Sequence, residues 1–291
     1  MSNGEDGDIM MIDINKFYLV DAFTDKTFSG NPACVFLKED IMEEDLMQII
    51  AREFNFSETA FPVPLGSNNS ETADHFKLKW FSPVVEVPLC GHATLATAHI
   101  LFSELENKSP TLTFSTLSGD LIVSKKGHGY AMNFPAGQLS EVDIDSDVIS
   151  ALHVKPESVQ EMLHCLNPNK LVIVVDREDQ VRDIAPDFIG LIHASRKFNV
   201  GSIAVTSISE SKNYDFISRN FAPIRGVNED FVTGSAHVIL GPYWGAKLRK
   251  KRLRAFQASK RGGFMDLEVK DNMRVELIGT AITVAEGTFR L

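Results

Sequence analysis

The sequence is poor in cysteine and tryptophan and contains no long uncharged apolar run. Among its 291 residues there are 3 cysteines and 2 tryptophans. Cys34, Cys90 and Cys165 are odd in number and far apart, which argues against a disulfide framework and favours a reducing compartment. No run approaches the ~18 apolar residues of a membrane-spanning helix, and residues 1–13 lack the basic start of a signal peptide. These absences predict a cytoplasmic protein.

Positive charge is also scarce. The chain has 29 basic and 39 acidic side chains, a formal net charge of −10, which argues against a general nucleic-acid binder. One basic run, Lys247–Arg254, goes against this trend. We interpret it as a solvated helix face, with a targeting signal or an anion-binding patch as the alternative.

Short segments of the first half recur in the second half in the same order, at offsets of 140 to 144 residues. The matched pairs are Phe54–Phe61 with Phe198–Val205, Phe81–Pro83 with Phe221–Pro223, and Cys90–Ala93 with Thr233–Ala236. The pattern predicts a duplicated module. The alternative is a chance similarity between short apolar segments of common composition. In this alignment Glu58 matches Ser202, so only one copy has the acid.

Each copy contains an uncharged helix behind a glycine turn. The first stretch, Pro88–Phe102, opens with the turn Cys90–Ala93, and its helix begins at Gly91. Because this helix is apolar all round, it should be buried on every side. The second begins at Gly234, and Pro242 should shorten or kink it. The unpaired N–H groups at such a buried helix start form a ready anion site.

Short apolar or alternating runs predict the remaining elements. We expect helices over residues 39–54, 148–152 and 186–194, and strands over residues 16–22, 33–37, 76–80, 112–114, 121–124, 130–134, 170–175, 203–207, 216–221, 275–278, 281–284 and 288–291. The result is an α+β fold of two pseudo-symmetric halves, each a mostly antiparallel sheet wrapped around its helix, with both helix starts opening into one cleft. The predicted domains are residues 1–125 with the C-terminal strand at about 279–291, and residues 126–278.

Longer motifs carry a family resemblance that covers nearly the whole chain. They are Val20–Leu37 (VDAFTDKTFSGNPACVFL), Asn55–Phe61 (NFSETAF), Phe81–His99 (FSPVVEVPLCGHATLATAH), Glu229–His237 (EDFVTGSAH) and Gln257–Gly263 (QASKRGG). Together they resemble the phenazine-biosynthesis isomerase (PhzF-like) family of the diaminopimelate-epimerase fold. The resemblance implies two barrel-like halves, an active site between them, and a homodimer.

The same resemblance implies the site residues. Glu58 corresponds to the acid/base that moves a proton, and His92, Asp230 and Ser235 to residues that hold the substrate and complete proton transfer. Substrate contacts are expected from Asn31, Cys90, Gly91, Thr233, Gly234 and Gly262. Pro88 and Phe231 stand where many relatives have an acidic residue and a proline, which puts the fit of the substrate in question.

The physical chemistry of these residues is consistent with such roles. Two facing helix starts supply donors and positive potential for a carboxylate or an enolate. In a cleft dry on one side, Glu58 is expected to have a raised pKa, which lets it take and return a proton. His92 can donate to the substrate.

Each role has a structural alternative. Glu58 could be a surface acid beside a helix, and His92, Asp230 and Ser235 could cap helix starts. Cys90 is more often a small buried residue than a nucleophile. The histidines show no metal-ligand spacing, and the glycine turns match neither a P-loop nor GxGxxG, so we predict no metal, nucleotide or flavin.

Three functions therefore remain open. The first is a cofactor-independent isomerase that moves a proton on a small carboxylate. The second is a two-base epimerase or racemase, which would use a thiol on each glycine turn, but Cys90 aligns with Thr233. The third is a non-catalytic binding protein on the same fold.

Overall fold

Strands make up most of the chain. The computed structural model describes residues 14–38, 40–67 and 69–291, and in these its strands join in one mixed sheet. The strands are β1 (Ile14–Ala22), β2 (Asn31–Leu37), β3 (Thr59–Pro64), β4 (His75–Phe81), β5 (Glu86–Val87), β6 (Thr111–Thr116), β7 (Gly119–Lys126), β8 (Gly129–Pro135), β9 (Ser140–Glu141), β10 (Val159–Cys165), β11 (Lys170–Val175), β12 (Ser202–Ile208), β13 (Phe216–Ala222), β14 (Val227–Asp230), β15 (Arg252–Gln257), β16 (Gly263–Lys270), β17 (Arg274–Gly279) and β18 (Ala281–Arg290). The α-helices are α1 (Glu44–Phe54), α2 (Gly91–His99), α3 (Ser146–Leu152), α4 (Glu178–Arg182), α5 (Phe188–Lys197) and α6 (Gly234–Leu248).

The strand pairings occur twice in the same order. In β1–β8, which we name the first repeat, β1–β2 and β3–β4 are antiparallel, whereas β2–β3 and β4–β6 are parallel. In β10–β17, the second repeat, β10–β11 and β12–β13 are antiparallel, whereas β11–β12 and β13–β15 are parallel. Both repeats close with two antiparallel pairs, β6–β7–β8 and β15–β16–β17. The duplication predicted from the sequence is therefore confirmed at the level of topology.

One antiparallel strand pair connects the two repeats, and another adds the C-terminal strand to the first repeat. Strand β8 pairs with β17, and the C-terminal strand β18 returns to pair with β1. The mixed, mostly antiparallel sheet with helices agrees with the predicted α+β class. The closure of each repeat into a barrel-like half, and the domain boundary near residue 125, stay predictions. Residues 281–284 and 288–291, predicted as separate strands, belong largely to the single strand β18.

Helix α2 is buried as its composition predicts. Every residue from His92 to Ala98 is buried, and the helix continues as a π-helical turn over Ile100–Glu104. Its two threonines return their hydroxyls to the helix: Thr94 Oγ1 donates to Cys90 O and Thr97 Oγ1 donates to Ala93 O, at 2.8 Å for the second. Such internal bonds satisfy the hydroxyls of both buried threonines. One contiguous apolar core surrounds both α2 and α6.

Helix α6 continues through Pro242 to Leu248, so the prediction of a shortened second helix is wrong, while a kink at Pro242 stays a prediction. With 15 residues it is longer than α2. A proline lacks the N–H that would bond the carbonyl four residues earlier, which is that of Val238. The backbone N–H of Gly137 donates to this Val238 oxygen at 3.0 Å instead. The helix continues because a neighbouring segment replaces the missing donor.

Two further expectations need correction. Helix α1 begins at Glu44, and the described residues before it are not helical, so the predicted start at residue 39 was too early. The basic run Lys247–Arg254 is not one helix face. It spans the end of α6 and the start of β15, and Lys247, Lys250, Lys251 and Arg254 each lie beside a carboxylate. Four of its cations are thus paired with carboxylates, and the alternatives of a targeting signal or an anion-binding patch stay predictions.

All three cysteines, Cys34, Cys90 and Cys165, are buried free thiols. Within the described ranges, no helix combines the length and the apolar character that a membrane crossing requires.

Candidate active site

The two glycine turns meet. A methyl group built on Gly91 would lie 3.6 Å from the Cα of Gly234, and the reverse distance is also 3.6 Å. This confirms the prediction that α2 and α6 begin at one shared place. Neither helix start is capped by a side chain. The first N–H groups of the two helices therefore have no partner among the described residues; they are those of Gly91, His92, Gly234 and Ser235. The positive ends of both helix dipoles face one region.

Glu58 and His92 form an ion pair beside these helix starts. Glu58 lies between α1 and β3, and its Oε2 is 3.2 Å from His92 Nε2. The side chains are 18% and 6% exposed, respectively. Ser57 Oγ also approaches the same His92 nitrogen, at 3.3 Å. Glu58 is thus a half-buried, oriented carboxylate, and not the surface acid of the alternative interpretation.

The ion pair determines the protonation of both groups. Burial on its own would raise the pKa of Glu58, but hydrogen bonds from His92 and Ser57 and the positive charges of His92 and Arg225 outweigh it, so the pKa is lowered. Burial on its own would lower the pKa of His92, but its contacts with Cys90 and Glu58 raise it well above the ordinary value. Burial raises the pKa of the Cys90 thiol, so Glu58 is the anion that stabilises the imidazolium. The expectation of a raised Glu58 pKa is therefore wrong, because it ignored His92 as a charged partner.

Asn31 connects the first repeat to the second. It is fully buried, and its Nδ2 donates to Asp230 Oδ1 at 2.8 Å and to Val232 O at 3.0 Å. An amide nitrogen has two N–H groups, so both are used. His92 Nδ1, which is 3.2 Å from this nitrogen and 3.5 Å from Cys90 Sγ, can then direct its proton only to the sulfur.

Asp230 is held from three sides. Its Oδ1 accepts from Asn31, and its Oδ2 accepts from Thr233 Oγ1 at 2.6 Å. Gln257, which is 1% exposed, donates from Nε2 to Asp230 O and accepts from the Thr233 N–H at 2.8 Å. Burial raises the pKa of Asp230, and the charge of His92 and the hydrogen bond from Thr233 partly offset the rise. The carboxyl does not cap helix α6; it is fixed toward the meeting point of the repeats.

Gly262 supports the Asn31 turn from behind. Its carbonyl accepts from the Gly30 N–H at 2.7 Å, and Gly30 has a φ of +65°. A side chain on Gly30 would lie 2.2 Å from Ala22 O, so only glycine fits there. Arg261 completes the brace, because it ion-pairs with Asp21 at 2.6 Å and donates to Gly30 O at 3.0 Å.

Ser235 and the two residues that depart from the family pattern, Pro88 and Phe231, lie around the Glu58–His92 pair. Ser235 is the second residue of α6 and is partly exposed. Pro88 is exposed, and its carbonyl accepts from Ser118 Oγ at 2.8 Å. Phe231 is half-buried, and the Arg261 guanidinium lies 5.7 Å from the centre of its ring. Both departures therefore flank the site without breaking its hydrogen bonds.

Three side chains of the metal-ligand type meet at this place. One potential ligand atom each from Glu58, Cys90 and His92 lies within 4.8 Å of the others. The carboxylate and the thiol contact different nitrogens of the imidazole, as the ion pair requires. That no metal binds here stays a prediction. A surface depression of about 320 Å³ lies elsewhere, beside α1 and strands β3 and β4.

Sequence reasoning missed four polar residues of this region. Ser57 and Gln257 lay inside quoted motifs but had no expected role. Lys170 is 3% exposed and Arg225 is exposed, and both belong to the second repeat. A lysine at the start of an otherwise apolar strand was the one available signal for Lys170.

Comparisons with known proteins identify the family of this chain. A family model described as phenazine biosynthesis-like protein (PhzC-PhzF) matches residues 20–287. The chain is 43% identical to an uncharacterized isomerase of Halalkalibacterium halodurans, over 92% of this chain and 95% of that one. It is 41% identical to phenazine biosynthesis-like domain-containing protein 1 of Mus musculus, over 93% and 97% of the two chains. A PhzF family structure from Enterococcus faecalis is 40% identical, with a TM-score of 0.87 over 96% of this chain and 100% of that one.

Proposed function

Because this chain belongs to the phenazine biosynthesis-like (PhzC-PhzF) family, members of which carry the name isomerase, we propose that it is a cofactor-independent isomerase. It moves a proton between two carbon atoms of a small substrate that bears a carboxylate. The observation that carries the proposal is the ionised Glu58 carboxylate, held by His92 beside two uncapped helix starts.

The helix starts bind the substrate carboxylate. Their unpaired N–H groups donate to its oxygens, and the two helix dipoles add positive potential. When the adjacent carbon loses its proton, negative charge moves onto these oxygens. The same donors then stabilise the enolate-like transition state, which is the arrangement that lowers the barrier for such a step.

Glu58 carries the proton. Its carboxylate takes a proton from the substrate carbon, and the C–H electron pair shifts into the conjugated system of the substrate. Glu58, now a neutral acid, returns the proton to a second carbon of that system. The proton count and the electron count are unchanged, so no oxidant or reductant is needed. A lowered pKa suits this role, because the group is ionised and ready as a base at neutral pH.

The other residues position the two partners. His92 orients Glu58 and stabilises its charge through the 3.2 Å contact. Asp230, fixed by Asn31 and Thr233, and Ser235 at the start of α6 contact the substrate from the second repeat. Cys90, Gly91, Thr233 and Gly234 form the floor between them, and Gly262 keeps the Asn31 turn in place. A homodimer is expected from the family, and sedimentation of the purified protein tests it.

The test is carbon-bound deuterium. Small cyclic and amino carboxylates are incubated with the protein in D₂O and followed by proton NMR. We expect at least one to lose a C–H signal or to change its double-bond position with wild-type protein and not with Glu58→Gln. Glu53→Gln, an exposed acid at the end of α1, is the matched control. Equal exchange with wild type and Glu58→Gln would contradict the proposal.

The two other functions predict different results. An epimerase that uses thiols would lose exchange in Cys90→Ala and keep it in Glu58→Gln. A binding protein would be stabilised by a carboxylate in thermal unfolding and would exchange none of them. Thr233 at the place of a second thiol speaks against the first of these, since its hydroxyl is bonded to Asp230.

A further inference from the structure

Two cations of the second repeat lie together at the start of β12. Lys170 Nζ donates to Ser202 Oγ at 2.6 Å, and the two residues are register partners in the parallel pair β11–β12. The Arg225 guanidinium lies directly on Gly201, the preceding residue. A methyl group built there would be 2.0 Å from Arg225 Nη2. Both cations therefore flank the Gly201–Ser202 segment.

Neither cation has a carboxylate partner. Over the described residues, Lys170 makes no ion pair, and Arg225 makes neither an ion pair nor a side-chain hydrogen bond. Asp230 is the acid whose charge Lys170 senses, but its two oxygens are already bonded to Asn31 and Thr233.

Two other cations with little exposure are paired with carboxylates. Arg219 contacts Glu229 at 2.6 Å, and Lys79 contacts Glu86 at 3.1 Å. A buried charge without a counter-ion is costly. Lys170, which is 3% exposed, departs from the pattern of its own protein. In a chain with a net charge of −10, the missing anion for this pair is best explained as a ligand.

The pair belongs to the same site as Glu58. Ser202 aligns with Glu58 in the repeated sequence, and both lie where the second strand of a parallel pair begins, β3 beside β2 and β12 beside β11. The charge of Arg225 acts on Glu58, and that of Lys170 acts on Asp230. Glu58 and Asp230 are matched by three cations, His92, Lys170 and Arg225, so the site attracts anions.

We propose that Lys170 and Arg225 bind a second carboxylate of the substrate, which makes the substrate of this enzyme a small dicarboxylate. One carboxylate lies at the starts of α2 and α6, and the other lies at the Lys170–Arg225 pair. This inference rests on the proposed function only in placing the reacting carboxylate at the helix starts.

The proton on Lys170 adds a second, testable property. Burial first, and then the neighbouring Arg225, lower the pKa of Lys170 to about 8, against the opposing charges of Asp230 and Cys165. His237, the other titratable group that senses Lys170, stays neutral because burial lowers its pKa to about 4. A bound carboxylate favours the protonated lysine. Dicarboxylate affinity should therefore be full below pH 8 and should decline as the pH rises above it.

The experiment compares malonate, succinate and glutarate with their half-amides, which have nearly the same shape and one charge less. Isothermal titration calorimetry at pH 7 measures the ratio of affinities for each pair. We expect at least one diacid to bind wild-type protein roughly tenfold or more tighter than its half-amide, the scale of hydrogen bonds to charged groups. A ratio near one for all three pairs would overturn the proposal.

Three variants locate the effect. Arg225→Gln removes an exposed charge, Gly201→Ala displaces the guanidinium by occupying its place, and Lys170→Met removes the buried cation. Each should lower the ratio to about twofold or less, whereas Arg252→Gln, an exposed arginine of β15, should keep it. Lys170→Met should also unfold at the same temperature or higher without ligand, because it removes an unpaired buried charge. Persistence of the ratio in both Arg225→Gln and Lys170→Met would refute the assignment.

Glu58→Gln separates this inference from the proposed function. It should keep the affinity ratio, since the base does not bind the second carboxylate. If Glu58→Gln loses deuterium exchange but wild-type protein binds each diacid no tighter than its half-amide, only the proposal of a dicarboxylate substrate is contradicted. If wild-type protein prefers a diacid over its half-amide but Glu58→Gln exchanges deuterium as fast as wild type, only the acid/base role of Glu58 is contradicted.

Discussion

The two repeats share a chain path and differ in chemistry. In the first repeat, the residue before β3 is Glu58, and the residue after the helix glycine is His92. In the second repeat the equivalent residues are Ser202 and Ser235, and a buried lysine, Lys170, bonds Ser202. In the proposed mechanism the first repeat thus supplies the proton carrier with its ion-pair partner, and the second supplies an acid, a hydroxyl and cations.

This difference shows how a duplicated backbone becomes an asymmetric site. The helix starts are retained in both repeats and give two equivalent sets of N–H donors. The side chains around them are free to diverge, because the pairing of the strands does not depend on them. A single base and a separate anion-binding side suit the proposed proton shift between two carbons, because one group takes and returns the proton, whereas a racemase needs a base on each face.

The largest expected effect comes from exchanging one member of the aligned pair Glu58 and Ser202. Glu58→Gln should reduce turnover by roughly 10² or more, the usual scale for general acid–base catalysis, while binding is largely retained. Ser202→Ala should change turnover by only about threefold, because it removes one hydrogen bond to Lys170. Deuterium incorporation rates by NMR measure both. Similar losses of turnover in Glu58→Gln and Ser202→Ala would mean that the two aligned residues do not differ in their importance for the reaction.

A smaller effect concerns pH and His92. The pKa of Glu58 is lowered from 4.5, so its contribution to stability is present above pH 4.5 and is lost as the pH falls through the folded value. The pKa of His92 is raised from 6.5, so its contribution is present below pH 6.5 and is lost as the pH rises through the folded value. Both act together between pH 4.5 and 6.5.

His92→Gln should therefore lose most stability in that window and less outside it, as thermal unfolding from pH 4 to 9 would show. The acid limb of kcat/KM should also move to higher pH, because the effect of burial on the pKa of Glu58 is then opposed only by Ser57 and Arg225. His75→Gln, on β4 and away from the site, is the control. An unmoved acid limb would mean that His92 does not set the ionisation of Glu58.

Cys90→Ala should be milder still. The thiol contacts His92 Nδ1 at 3.5 Å and has no thiol opposite, so turnover should fall by less than about tenfold. Cys165→Ala, another buried thiol outside the site, gives the scale for a packing effect alone. Abolished turnover in Cys90→Ala with activity kept in Glu58→Gln would instead favour the two-base epimerase.

The smallest expected effect is that of metal removal. Dialysis against EDTA should leave turnover unchanged, since Glu58, Cys90 and His92 are arranged as an ion pair beside a protonated thiol. Metal analysis of the dialysed protein by mass spectrometry is the check. Activity that is lost on dialysis and returns with Zn²⁺ would make the three residues metal ligands.

The sequence predicted much of the site because its motifs are local. The turns around Asn31, Glu58, Gly91 and Gly234 are contiguous stretches with a recognisable order. It did not predict the sign of the Glu58 pKa shift, since that depends on a histidine 34 residues away that is brought to 3.2 Å only by the sheet. Lys170 and Arg225 were missed for the same reason: neither stands next to a motif residue in the sequence.

The fold was predicted in the same uneven way. Long apolar segments such as α2 and β11 were found, because periodicity and composition suffice for them. The short strands β5, β9 and β14 were not, since two to four residues carry no period. The basic run was wrongly read as one helix face, because lysines give no signal of where a helix ends.

The bond between Gly137 and Val238 has a consequence for which parts of the protein open together. The Val238 carbonyl is an isolated acceptor only because Pro242 follows it within the same helix. Gly137 itself has no room for a side chain, since a methyl group there would lie 2.7 Å from Ile239. The bond from Gly137 can therefore exist only while this turn of α6 is formed and the segment is docked on it. In hydrogen exchange, the amide of Gly137 should become protected together with α6 rather than with its neighbours in the chain.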